Sequence, residues 1–298
     1  MKVLVLGAAA DQGLPLLDAL LVEGVQPVAG VRRVNALRGT RHADLPDILA
    51  DLGSEDSLAA AMQGCDALAM HLPFTFDLGQ ARRWGAAIAL AARRAKLRKI
   101  VFNTSCHVAP QDIGSPGHDG RRAIEAAIAG SGVNYVFVEP VVFMDNMIRP
   151  WARPGIVNAG VFAYPAKLDL EISWVAIEDV ARVMVAALAR SDLTATRIPL
   201  GGPQALLGDE IAAVLSEVVS RTVAFRSLSP DTFAADMSEL VTGSRNVEPH
   251  GIYAGMAAMY AWYNAQPVSP LMVDPAALPV DVSLTSFREW AQRQDWRG

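Results

Sequence analysis

Six short, mostly apolar runs recur along the first half of the chain, at residues 2–6, 27–31, 47–50, 67–71, 99–103 and 134–138. Between them, residues 13–22, 57–62, 79–95 and 121–129 are rich in Ala and Leu with apolar positions at helical spacing. Runs of near-continuous apolar residues, as opposed to alternating ones, belong to strands buried on both faces, which is the situation in a parallel sheet covered by helices. The regular alternation of strand and helix predicts an α/β, doubly wound parallel sheet.

The pattern loosens after Glu139-Pro140. Residues 146–167 carry Pro150, Pro154, Gly155, Gly160 and Pro165 and show no clear period. A further strand at 172–174 and a helix at 177–190 resume the alternation, followed by a strand at 197–200, a helix at 207–219 and a strand at 223–227. Residues 251–263 and 286–293 read as helices. The expected organisation is a nucleotide-binding sheet domain over 1–145, to which 172–200 return, and a smaller, mainly helical substrate-binding part over 146–171 and 201–298. The longest uncharged run, 251–273, is broken by Asn264, Gln266, Pro267, Ser269 and Pro270. Its clean part is shorter than the ~18 apolar residues a membrane span needs. The opening apolar run is too short for a secretory leader and reads as a buried strand. No membrane association is expected, and the expected location is the cytoplasm.

Composition narrows the function classes. Of 298 residues, 52% are hydrophobic and 19% charged, so the chain can bury a large core. The net charge of -5 disfavours a nucleic-acid partner. The two cysteines, Cys65 and Cys106, can form neither a disulfide scaffold nor a four-cysteine zinc site. They fall at opposite ends of the predicted sheet, so no bond between them is expected. His71, His107 and His118 follow strands four and five, but their spacing matches no metal-ligand pattern, and no metal is expected.

The first strand-to-helix turn carries the strongest chemical signal. Gly7, Ala8, Ala9, Ala10, Asp11, Gln12 and Gly13 form a small-residue turn, and Pro15 sits in the first turn of the helix. Small side chains let the backbone approach a diphosphate, and the helix N-terminus offers N–H groups and a positive dipole. Ala10 stands where the usual dinucleotide pattern has its middle glycine. At the end of strand two, where a carboxylate would hold the ribose of NAD, the chain has Arg32 and Arg33. Two guanidiniums suit a 2′-phosphate, which favours NADP. Asp51 and Leu52, after strand three, are placed to meet the adenine; a helix-capping role for Asp51 is the alternative. His71, Leu72 and Pro73 follow strand four, where backbone would pass along the cofactor, and Asn103 ends strand five.

With these features in order, the chain resembles the short-chain dehydrogenase/reductase superfamily, in its atypical NmrA-like branch. The resemblance is carried by the 7–13 turn, Asp51-Leu52 before Ser57-Leu58, and Gly64-Cys65-Asp66-Ala67. It continues through Glu139-Pro140 with Phe143-Met144-Asp145-Asn146, Trp174 with Asp179-Val180-Ala181, Gly201-Gly202-Pro203, and Glu210-Ile211-Ala212. It implies a Rossmann domain binding NADP or NAD, with a small C-terminal part covering the substrate. Active relatives of this superfamily pair a Ser or Thr after strand five with a Tyr-x-x-x-Lys on the next helix. Ser105 fits the first position. No Tyr-x-x-x-Lys follows; the chain offers His118, Arg121, Arg122 and Glu125. One alignment puts His118 in the tyrosine place and Arg122 in the lysine place, and another puts Arg121 in the latter. Arginine can hold ribose or phosphate but keeps its proton at neutral pH.

Phe74, Phe143, Met144, Met259 and Trp262 are the expected lining for a flat apolar or aromatic substrate; the 3–4 spacing of Met256, Met259, Tyr260 and Tyr263 equally describes a core stripe. The expected activity is NADPH-dependent reduction of a small apolar carbonyl, quinone or conjugated alkene, with Ser105, His118 and Arg122 in the catalytic constellation. The alternatives are a non-catalytic NADP(H)-sensing regulator and a non-redox lyase, isomerase or cyclase on the same scaffold. A homodimer is a further expectation.

Overall fold

The computed structural model describes residues 1–297. The first strands and helices run β1 (Lys2–Leu6), α1 (Gly13–Val22), β2 (Gln26–Val31), β3 (Asp47–Leu49), α2 (Glu55–Met62), β4 (Ala67–His71), α3 (Leu78–Arg94), β5 (Lys99–Asn103), α4 (Pro116–Ala129) and β6 (Asn134–Pro140). They continue with β7 (Val161–Tyr164), α5 (Ile177–Ala189), β8 (Thr196–Leu200), α6 (Gly208–Val218), β9 (Ala224–Ser227), α7 (Pro230–Thr242), α8 (Ile252–Ala265) and α9 (Phe287–Arg293). Short 3-10 and π turns fill Met144–Ile148 and Gly155–Ala159.

Seven strands form one sheet in the order β3-β2-β1-β4-β5-β6-β8. β1 pairs in parallel with both β2 and β4, and β4, β5 and β6 continue in parallel register, Leu68 beside Ile100 and Val101 beside Val136. The order reverses between β1 and β4, which opens a crevice at the carboxyl ends of those strands. Alternate residues of each strand go to opposite faces. Leu4, Leu6, Leu68, Met70, Ile100 and Phe102 join buried residues of α2, α3 and α4 in one cluster. Val3, Val5, Ala69 and Val101 are equally buried and face away from that cluster, toward the side where α1 and α5 pack together. Burial on both faces is the reason these strands read as continuous apolar runs.

Local signals set the helix ends. Ser54 caps α2 by accepting from the Ser57 N–H at 3.2 Å, and Asp77 caps α3 by accepting from Gln80 N–H at 3.0 Å. The C-terminal end of α5 is met by Lys99, whose Nζ donates to the carbonyls of Ala187 (2.9 Å) and Arg190 (2.5 Å). The arginines of α3 are exposed, with Arg94 paired to Asp56 at 2.6 Å.

The chain divides into two compact units. One comprises Met1–Pro140, Ile177–Pro199 and Leu278–Val282; the other comprises Val141–Ala176, Leu200–Ala277 and the residues from Ser283 onward. The second unit is mainly helical, as expected, with α6, α7, α8 and α9, and adds β7, a strand not expected there. β7 and β9 form a two-stranded parallel sheet, with Phe162 beside Phe225 and Ala163 beside Arg226. The segment 172–174 is extended but makes only an isolated antiparallel bridge between Ile172 and Leu206. Ser173 turns away from a ladder, its N–H donating to Leu271 O at 3.0 Å and its Oγ accepting from Val273 N–H at 3.1 Å. No helix among the described residues is long and apolar enough to cross a membrane.

Candidate active site

The turn after β1 is closed by its own backbone: Ala10 N–H donates to Gly7 O (2.9 Å) and Gly13 N–H to Ala10 O (2.8 Å). Gly7 has φ 83°, a conformation an L side chain rarely adopts, and a Cβ there would lie 2.6 Å from the His71 ring. A Cβ at Gly13 would overlap the carbonyl oxygens of Gly7 and Ala8. Ala8 is buried, while Ala9, Ala10 and Asp11 are exposed at the mouth of the turn. The first helical turn of α1 has no side-chain cap, so its N–H groups are not spent on one. These residues fit a diphosphate: the cradle is a place where side chains do not fit and backbone donors do.

Gln12, at the start of α1, ties this turn to the end of β5. Its Oε1 accepts from Asn103 Nδ2 at 2.8 Å and its Nε2 donates to Ser105 Oγ at 3.2 Å. Asn103 Oδ1 in turn accepts from Ser105 N–H at 2.8 Å. This brace holds Ser105 at φ 63°, a left-handed backbone in a residue that has a Cβ. Such strain persists only where neighbours over-determine it, and it is common at working sites.

α4 begins at Pro116, five residues before the helix expected from periodicity, because Ser115-Pro116 is a start signal that Gly117 and Gly120 disguise. His118, Arg121, Arg122 and Glu125 therefore all lie on one helix. Arg122 faces outward and pairs with Asp112, with a third of its side chain exposed. Arg121 is 2% exposed. Its Nη2 donates to Leu72 O at 2.7 Å, and its guanidinium stacks 4.4 Å from the centre of the Phe74 ring. Its Nε and Nη1 are buried and meet no hydrogen-bond acceptor among the described residues. Burial lowers its pKa to about 10, which leaves it a cation at neutral pH.

The three histidines at these strand ends are neutral. Burial pushes His71 down to about 4, with the Arg121 charge adding to the effect. His107 and His118 also fall to about 4 by burial, and for His118 the neighbouring His107 adds to the effect. His118 is 1% exposed. The Cys106 thiol is pushed up to about 12 by burial, far from the thiolate an activated nucleophile needs. Both cysteines are free thiols and both are buried. No group of three or more His, Cys, Asp or Glu that could hold a metal ion occurs among the described residues.

Arg32 and Arg33, just after β2, are exposed and pair with no carboxylate among the described residues. Asp51 is exposed and its Oδ1 accepts from Gly53 N–H at 2.9 Å, a local turn; the cap of α2 is Ser54, not Asp51. Leu52 is half-buried, and Pro73 is exposed. Phe74 belongs to the same unit as Arg121, whereas Phe143, Met144, Met259 and Trp262 belong to the other. Met144 and Met259 are core residues there, and Phe143 and Trp262 are half-buried.

One group beside Arg121 was not legible as a set. Glu125, fully buried, and Glu139 share a single cation: Arg197 Nη1 lies 2.7 Å from Glu125 Oε2 and 2.5 Å from Glu139 Oε1. Burial and the neighbouring carboxylate push Glu125 up to about 8, so the pair keeps a proton at neutral pH. The available signal was a glutamate standing at the end of an otherwise apolar strand.

Comparison with known proteins agrees with this architecture. The NmrA-like family profile matches residues 1–291. An NAD(P)H azoreductase from Xenophilus azovorans is 32% identical over 231 residues, 72% of this chain and 76% of that protein. An NADPH-dependent quinone oxidoreductase from Escherichia coli, solved with NADPH, superposes with a TM-score of 0.79 at 21% identity, covering 97% of this chain and 98% of that one. The triphenylmethane reductase of Citrobacter sp., solved with NADP(H), also gives 0.79 at 20% identity, over 98% and 99% of the two chains. With its seven-stranded sheet, glycine-bounded first turn and nearly full-length profile match, the chain belongs to the NmrA-like family of Rossmann-type proteins.

Proposed function

We propose that the protein is an NADPH-dependent reductase of a small apolar or aromatic acceptor, a quinone, conjugated alkene or carbonyl. The observation that carries this reading is the joining, at neighbouring strand ends, of a turn that excludes side chains to a buried guanidinium with two unspent donors. The names of the relatives, an azoreductase and structural neighbours that are quinone and dye reductases, support the same reaction type.

NADPH, when bound, supplies hydride. The backbone amides of residues 7–13 hold its diphosphate, and Arg32 and Arg33 meet the 2′-phosphate. Arg121, not Arg122, takes the place of the family's lysine: it is buried, cationic and has Nε and Nη1 to give to ribose hydroxyls or to the acceptor's oxygen. Ser105 Oγ, fixed by Gln12 and Asn103, donates to the charge that develops on the acceptor. His118, neutral at working pH, acts as a hydrogen-bond donor and not as an imidazolium acid.

The test is NADPH oxidation by the purified protein against a panel of quinones, enones and azo compounds. Turnover is expected, with Arg32→Ala/Arg33→Ala raising KM for NADPH at least about tenfold and leaving NADH unchanged. Absence of turnover with every acceptor, alongside tight NADPH binding, would leave the regulator reading, which the neutral His118 and un-ionised Cys106 favour.

A further inference from the structure

The geometry points to a binding site for a planar aromatic acid of one or two rings, a carboxylate or sulfonate, in a cavity of the second unit. It does not rest on the reductase reading, because every residue of the cavity lies outside the nucleotide-binding unit.

The cavity follows from the two-residue period of β7. Phe162 and Tyr164 point to one side, where both are 1% exposed and Phe162 packs 5.5 Å from Phe225. Val161 and Ala163 point to the other side and leave a floor of small residues. Above that floor runs one stripe of α7, Phe233, Met237 and Leu240, at helical spacing. Trp151 closes the end, its ring edge-on to Phe233 at 5.6 Å. Between floor and roof is a volume of about 300 Å³. That is at the small end of ligand cavities, roughly 300–1,000 Å³, and suits a flat ring system better than a bulky one. Two aromatic walls and an adaptable methionine favour stacking and edge contacts with such a ring.

Charge selects the ligand's polar end. Two charged residues line the cavity, Arg226 and Asp236. Asp236 is already matched by Arg245, whose Nη1 lies 2.7 Å from its Oδ1. Arg226, opposite Ala163 in the strand register, pairs with no carboxylate among the described residues. An aromatic cleft with one unspent guanidinium at its rim fits an aryl anion, the ring between Trp151 and the α7 stripe and the acid on Arg226. Leu240, 57% exposed, would be covered by the same ligand.

The experiment is calorimetric titration of the intact protein with 2-naphthoate and with its uncharged match, 2-naphthalenemethanol. The naphthoate is expected to bind more tightly than the alcohol, and added salt should narrow the difference. Arg226→Gln should weaken naphthoate at least about fivefold without changing the alcohol, and Arg226→Lys should restore part of the loss. Arg226 is exposed, so these variants should melt like the parent. Ala163→Leu fills the floor and should weaken both ligands; should it fail to fold, quenching of tryptophan fluorescence by naphthoate, lost in Trp151→Phe, locates the ligand instead. Undetectable naphthoate binding at millimolar concentration, equal affinity in Arg226→Gln, or full displacement of naphthoate by NADPH would each overturn the assignment.

Discussion

Replacing Glu125 by Gln tests the buried carboxyl pair directly. In the native protein Glu125 and Glu139 face one guanidinium, and burial raises the pKa of both, Glu125 to about 8. In the unfolded chain each titrates at the ordinary glutamate value. Between about pH 6 and pH 8 the native state therefore holds a proton that the unfolded state has released. A group whose folded pKa is raised stabilises the fold at low pH and loses that contribution as pH climbs through the folded value. The slope is about 1.4 kcal/mol per pH unit for one proton, so the wild type should lose roughly 2 kcal/mol across this window. Glutamine keeps the shape and a donor for Glu139 but has no proton to lose, and the Arg197–Glu139 pair remains. The variant's stability should be flat over the same range, near the parent's at about pH 6 and roughly 2 kcal/mol above it past pH 8. Urea melts followed by far-ultraviolet circular dichroism at four or five pH values, with the denaturant slope unchanged, measure this. Parallel curves for parent and variant, or a variant weaker at alkaline pH, would refute the shared-proton argument.

Three further outcomes follow from the site. Gly13→Ala puts a methyl against the Gly7 and Ala8 carbonyls and should weaken NADPH binding by more than about tenfold in calorimetry; an unchanged Kd would mean the turn is not the diphosphate cradle. Arg121→Met keeps bulk against Phe74 but removes the charge, and kcat should fall by roughly 10²-fold while the melting temperature drops little; Arg121→Lys should recover part of the rate, and full activity in the methionine variant would exclude an electrostatic role. Cys106, buried with its pKa near 12, should resist iodoacetamide at pH 8 in the native protein and react once unfolded, as read by peptide mass; rapid native alkylation would contradict its burial.

The sheet was legible because each of its first six strands is a local apolar run, and the helices between them keep a clear period. The shape of the first turn was legible for a related reason: it is set by seven consecutive residues. Features built from distant segments were not. Glu125, Glu139 and Arg197 come from α4, β6 and β8, and no local pattern links them. The start of α4 was hidden by Gly117 and Gly120, poor helix formers; Gly120 packs against α3, where a Cβ would sit 3.2 Å from that of Ala81. β7 was missed because a four-residue strand sits among prolines and glycines, and its partner β9 is sixty residues away. α7 was passed over although Ser229-Pro230 announces it, Ser229 Oγ accepting from Thr232 N–H at 3.0 Å.

Neither compact unit is a single stretch of chain, and this bears on biosynthesis. The polypeptide leaves the first unit after Pro140, returns for Ile177–Pro199, and comes back again at Leu278–Val282. A ribosome that has delivered only the first 140 residues has made six strands but not α5, whose buried Ile177, Val180, Val183 and Met184 pack with α1 on the sheet. The nascent sheet would carry an uncovered apolar layer until that helix emerges, and the β7–β9 pair cannot close until later still. Truncation at Pro140 should give a sticky, chaperone-bound fragment and not a minimal nucleotide-binding domain.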